Sequence, residues 1–113
     1  MFINDSVVNK MQETLKIAGD ATRIKILSCL LDELKSEEKN VSLIEKCVNE
    51  ISAQIGASQS LVSHQLKVLK EGNFVKTRKE GTKVYYSLKD EHVREIIKIT
   101  FEHVTEEEGE DHD

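Results

Sequence analysis

The 113-residue chain has no proline and no tryptophan, only two cysteines, and no apolar run long enough to span a bilayer. Without proline, helix ends must be set by glycines and by capping side chains. The missing run excludes a membrane-spanning helix, and no charged-then-apolar leader opens the chain, so a cytosolic protein is expected. Cys29 and Cys47 are then expected to remain thiols, because a lone cytosolic pair rarely forms a structural disulfide. The length suits one domain with a modest core, which a second subunit could complete. Charged residues make up 33% of the chain, as in soluble, helix-rich domains.

The formal net charge is −5, which at first argues against a nucleic-acid binder. The distribution reverses that reading. Residues 57–89 hold seven Lys and Arg against Glu71 and Glu80, a local +5, whereas residues 102–113 carry seven carboxylates and neither Lys nor Arg. A basic face beside an acidic tail is compatible with DNA binding, and a plainly solvated charged surface fits it equally.

The stretch Ser58–Leu88, SQSLVSHQLKVLKEGNFVKTRKEGTKVYYSL, says more. Ser58 is an N-cap, Gln59–Glu71 has helical periodicity with Leu61, Val62, Leu66 and Leu69 as its apolar stripe, and Gly72 ends it. The exposed face then carries Gln59, Ser60, Ser63, His64 and Lys67. Two short strands follow, Phe74–Arg78 and Val84–Leu88, around the turn Lys79-Glu80-Gly81-Thr82. This hairpin carries Lys76, Arg78, Lys79 and Lys83, and Tyr85 and Tyr86 have the propensity to seal it. Such a helix presents hydrogen-bonding groups to base edges, and such a ribbon presents cations to phosphate.

Upstream, Val7, Val8, Met11, Leu15 and Ala18 predict a helix over 5–18, capped by Asp5 or Ser6 and broken at Gly19. Asp20 caps a second helix, ATRIKILSCLLDEL, with Ile24, Leu27, Leu30, Leu31 and Leu34 inward and Cys29 packed as a small apolar group. KSEEKN is a polar break, and Val41–Val48 is readable as a short helix or an extended lead-in. Asn49 caps EISAQI, and Gly56 stops it. Short helix, tight turn and longer helix make a helix-turn-helix. The predicted class is mainly α with a small β-hairpin, a homodimeric winged helix-turn-helix over residues 1–106, with an acidic disordered tail over 107–113.

A last helix starts near Asp90 and carries Val93, Ile96, Ile97, Thr100, Phe101 and Val104, a stripe long enough to need a partner helix. It also carries Asp90, His92, His103 and Glu106. His92 and His103 are eleven residues apart and share a face, yet lie about 16 Å apart along the axis, so one helix cannot bring both to one ion. An antiparallel helix from a second subunit can. Two imidazoles and two carboxylates suit Zn(II), with two sites per two-fold dimer. Read from these residues alone, an ordinary polar helix face remains open, with Asp90 as an N-cap and Glu106 opening the tail.

Those three segments together resemble the ArsR/SmtB family of metal-sensing transcriptional repressors, over about Ile17–Glu106. The resemblance is carried by SQSLVSHQLKVLK, by the wing GTKVYYSL, and by the D-x-H…H-x-x-E spacing of the last helix, which is similar to the zinc-sensing (SmtB/CzrA-like) branch. It implies a repressor that binds double-stranded operator DNA as an apo homodimer and is released by regulatory Zn(II) between paired C-terminal helices. Asp90, His92, His103 and Glu106 are then the ligands. Gln59, Ser60, Ser63 and His64, supported by Lys67, Arg78, Lys79 and Lys83, face DNA. It further implies a hydrogen bond from metal-bound His103 to a backbone carbonyl near Asn73.

Two departures from the family stand out. Members that sense thiophilic metals have a C-V-C-like motif before the recognition helix, whereas this chain reads Cys47-Val48-Asn49-Glu50. One thiolate is a poor soft-metal site. The Lys35–Lys46 segment is also longer than usual. The alternatives are a sensor of another metal (Ni, Co or Cd), with His112 and tail carboxylates enlarging the Ni or Co coordination, a thiol-redox sensor using Cys29 and Cys47, and a module without DNA binding. No membrane partner, no small-molecule substrate and no enzymatic activity are expected: Ser63 and His64 are adjacent, and four protein ligands leave a metal no open position.

Overall fold

The computed structural model describes residues 3–31 and 44–111, with side chains as far as Glu106. In chain order these residues form α1 (Asp5–Ala18), α2 (Ala21–Cys29), α3 (Val48–Ile55), α4 (Gln59–Glu71), β1 (Val75–Glu80), β2 (Lys83–Leu88) and α5 (Glu91–Asp111). The core joins α2, α3, α4, the base of the hairpin and the start of α5, where Val93 and Ile97 are buried. Ile26, Leu27, Ile51, Val62, Leu66, Leu69, Phe74 and Val75 are its largest fully enclosed side chains. Burial of each large aliphatic or aromatic side chain here contributes about 1.5–3 kcal/mol. Among the described residues, no helix is long and apolar enough to cross a membrane.

Most helix ends fall where capping chemistry puts them. Asp20 accepts a hydrogen bond from the Arg23 amide at 3.0 Å, Ser58 accepts from Leu61 at 3.2 Å, and Asp90 accepts from Val93 at 3.1 Å. Each satisfies one of the amides that a first helical turn leaves without a partner. Two caps differ from expectation. The cap of α1 is Asn4, whose Oδ1 accepts from Val7, rather than Asp5 or Ser6. The cap of α3 is Cys47 rather than Asn49, because Glu50 reaches back and accepts from the Cys47 amide at 3.1 Å. That carboxylate, three residues into the helix, closes the start as in a capping box. The Cys47 amide and thiol hold the Glu50 carboxyl below its ordinary range. Its tethering of the α3 start is therefore present at neutral pH and is lost as pH falls through the depressed value.

Two apolar positions are also turned from where periodicity puts them. In α2, Ile24 is exposed and Ile26 is enclosed; in α4, Leu61 is exposed and the buried stripe is Val62, Leu66 and Leu69. Helix α2 ends at Cys29, capped at Leu30, earlier than the expected run to Leu34, which itself lies outside the described residues. The segment before α3 is an extended lead-in: Lys46 and Tyr86 exchange backbone hydrogen bonds at 3.0 and 2.8 Å. The Lys46 ammonium also donates to the Cys29 carbonyl at 2.7 Å and to Gln54.

Antiparallel β1 and β2 pair from Val75–Leu88 to Glu80–Lys83. The connection is thus Gly81-Thr82, one position later than expected, and Gly81 takes a φ of +62° that glycine adopts without strain. Helix α5 runs to Asp111, into the acidic segment that composition assigns to a tail, and residues 112–113, including His112, lie outside the described residues. Among the described residues, apolar rows on α1 and α5 are left uncovered. Helix α1 buries none of its residues and presents Val7, Val8, Met11 and Leu15, the last 62% exposed. Helix α5 presents Ile99 and Val104 in the same condition.

Candidate nucleic-acid interface and metal-ligand face

Helix α4 divides cleanly by face. Val62, Leu66 and Leu69 are fully enclosed, while Gln59, Ser60, Ser63, His64 and Lys67 are exposed. The buried spacing of four and three residues fixes the helix rotation, and that rotation is what exposes the polar set. The turn before it is held by Gly56 at φ +68° and by the Ser52 hydroxyl donating to the Ala57 carbonyl. Ser63 and Lys83 line one depression of about 360 Å³ with Cys47, Asn49 and Tyr86, so the hairpin brings a cation beside the polar face of α4.

The hairpin cations are not equivalent. Lys79 and Lys83 are exposed. Arg78 lies over the Tyr85 ring, 4.9 Å from its centroid, and its Nε donates to both Glu45 carboxylate oxygens at 3.0 and 3.1 Å. Its Nη1 donates to Glu80 at 3.2 Å. The two carboxylates hold the guanidinium still more firmly protonated. Glu45, far away in sequence, was not legible as part of this surface. Glu45→Gln is expected to free Arg78 for phosphate, raising DNA affinity a few-fold and steepening the salt dependence by about one unit of slope. An unchanged slope in a salt titration would remove Arg78 from the interface.

On α5 the four expected ligands lie on the outside. The His92 side chain is 95% exposed, with its Nδ1 3.8 Å from Asp90 Oδ1, and His103 and Glu106 are exposed. Asp90 Oδ1 is already engaged by the Val93 amide. Among the described residues of one protomer, no three His, Cys, Asp or Glu side chains come together as a metal site. The donor set of two imidazoles and two carboxylates fits a borderline divalent cation. On this placement it fits only if the two halves come from different chains.

The thiols separate by burial. Cys29 is enclosed, and desolvation raises its pKa, whereas Cys47 is half-buried. Native protein is therefore expected to react quickly with a thiol reagent at Cys47 and slowly at Cys29. Equal labelling rates under native conditions would contradict that difference.

A two-helix reader with a basic hairpin behind it is a winged helix-turn-helix domain. The family model for bacterial regulatory proteins of the arsR family matches residues 20–77, and the chain belongs to that family. It is 33% identical over 107 residues, 93% of its own length and 88% of the relative's, to a cadmium resistance transcriptional regulatory protein CadC homolog of Staphylococcus aureus. It is also 33% identical to a transcriptional repressor SmtB homolog of Synechocystis sp., covering 86% of this chain and 65% of that one. In fold it is similar to the homodimeric winged helix-turn-helix DNA-binding domain of a possible ArsR-family transcriptional regulator from Mycobacterium bovis. That likeness has a TM-score of 0.73 at 23% identity, over 94% of this chain and 91% of the other.

Proposed function

We propose that this chain is a homodimeric transcriptional repressor that holds operator DNA in its metal-free state and releases it on binding Zn(II). The polar outer face of α4 carries the DNA reading. Gln59, Ser60, Ser63 and His64 read base edges in the major groove, while Lys67, Lys79, Lys83 and, once exchanged from Glu45, Arg78 grip phosphate. The uncovered rows on α1 and α5 supply the dimer surface, and the M. bovis domain of the same fold is itself homodimeric.

The metal reading rests on the outward placement of Asp90, His92, His103 and Glu106 at the two ends of one helix. In an antiparallel pair of α5 helices, Asp90 and His92 of one protomer approach His103 and Glu106 of its partner. When bound, Zn(II) would supply a crosslink between the helices. The remaining work belongs to the chain: the crosslinked geometry must separate the two α4 helices from successive grooves. Metal weakens DNA binding only by preferring that geometry, and DNA weakens metal binding equally. His103 has a second ring nitrogen free to donate to the backbone near Asn73, which takes a φ of +62° just beyond α4.

The test is a titration of the apo-protein, bound to a fluorescent duplex selected from a random-sequence pool, with zinc and then chelator. Reversible release at one zinc per protomer supports the reading. DNA binding indifferent to zinc sinks the metal assignment and leaves the reader intact. Co(II) substitution discriminates the metals, since a tetrahedral spectrum supports zinc and an octahedral one favours nickel or cobalt.

A further inference from the structure

Helix α1 has no buried residue, yet one side chain holds its C-terminal end at two carbonyls and ties it to α4 through a third hydrogen bond. Arg23, in the first turn of α2, donates from Nε to the Ile17 carbonyl at 2.7 Å and from Nη2 to the Lys16 carbonyl at 3.4 Å. Its remaining arm donates from Nη1 to Gln65 Oε1 at 2.9 Å. The two carbonyls belong to the last turn of α1, where the helix dipole is negative; the Lys16 carbonyl also accepts from the Gly19 amide at 3.3 Å. Gln65 is on α4, half-buried, on the side away from the base-reading residues. A second contact joins the same two elements. Ile17 lies so close to the end of α4 that a Cβ on Gly72 would sit 2.5 Å from Ile17 Cδ1.

We propose that Arg23 is a positioning residue that sets the angle between the dimer-forming helix and the recognition helix, and through it the spacing of half-sites the dimer accepts. The inference rests on the dimeric DNA-binding reading above. In a two-fold dimer assembled through α1 and α5, the distance between the two α4 helices depends on how rigidly each α4 is referenced to its own α1. Apolar contact at Ile17 and Gly72 alone permits sliding. A planar guanidinium with three directed donors does not, and a lysine ammonium cannot reproduce that fork. Neither Arg23 nor Gln65 has to touch DNA for this role.

The experiment compares full-length wild-type, Gln65→Leu, Gln65→Glu and Arg23→Lys proteins. The probe is the duplex that wild-type protein selects from a random-sequence pool, together with versions whose centre is lengthened or shortened by single base pairs. Wild-type protein is expected to favour the selected spacing sharply. Gln65→Leu is expected to keep the dimer mass and melting temperature, to bind the selected duplex about tenfold more weakly, and to lose most of its spacing preference. Gln65→Glu is expected to restore the preference, because a carboxylate accepts from the guanidinium at least as well as the amide. Arg23→Lys is expected to follow Gln65→Leu, and should it fail to fold, the Gln65 pair still decides. A Gln65→Leu profile identical to wild type overturns the proposal. So does a loss of equal factor at every spacing, which would mark an ordinary packing role. A wild-type protein that selects no duplex sinks the DNA-binding reading as well, so the two failures are told apart.

Discussion

Zinc added to His103→Gln protein is expected to leave its duplex bound at concentrations that free the wild-type protein. His103 is half of the imidazole pair proposed for the metal. Losing a supporting hydrogen bond alone costs a metal site roughly 10–100-fold in affinity, so losing a ligand costs more. His92→Gln is expected to behave in the same way. The two variants mixed as heterodimers give the sharper result. If each site draws Asp90 and His92 from one chain and His103 and Glu106 from the other, one site of the mixed dimer carries both substitutions and the other carries neither. The isolated heterodimer then recovers one zinc per dimer, measured by isothermal titration. No recovery on mixing would refute the shared site, since ligands gathered within a single chain leave both sites damaged.

Leu66→Ala is expected to destabilise the fold by about 3 kcal/mol, because a fully enclosed leucine leaves a cavity that its neighbours only partly fill. For a chain of this size that lowers the melting temperature by on the order of 10–15 °C at fixed protein concentration. Leu61→Ala, five residues earlier on the same helix but exposed, is expected to cost under about 1 kcal/mol. The contrast is read by circular dichroism melts. Equal losses would mean that α4 is rotated from the orientation that exposes Ser63, His64 and Lys67, and the interface would have to be redrawn.

The recognition helix was legible almost to the residue, because a serine cap, a glycine stop and a 3.6-residue stripe all agree on one segment. The hairpin was legible because Gly81 supplies a positive φ, although its register had to come from the pairing of Glu80 with Lys83. The cap of α3 was misread for a chemical reason. Asn49 is a strong capping residue, but Glu50 stands three residues after Cys47, and that reach-back selected the cysteine. Ile24 and Ile26 lie two apart and so on nearly opposite sides of the helix; spacing with Leu27 and Leu31 favours Ile24, whereas tertiary packing encloses Ile26. Long-range side-chain bonds left no sequence signal at all. Glu45 beside Arg78 and Gln65 beside Arg23 join residues separated by 33 and 42 positions. On α5 the spacing of the four proposed donors was readable, whereas the site proposed for them needs a second chain.

Lys46 gives the hairpin a different standing in the unfolding of the protein. A two-stranded ribbon is marginal by itself in water. Here Lys46 exchanges backbone hydrogen bonds with Tyr86 on the outer edge of β2, while its ammonium holds the end of α2 and Gln54 on α3. Separating the ribbon from the domain therefore breaks contacts on two helices at once. In hydrogen-exchange terms the Tyr86 amide belongs with the slowest, globally opening class and the Gly81 turn with the fraying class, a gradient of protection along one short strand.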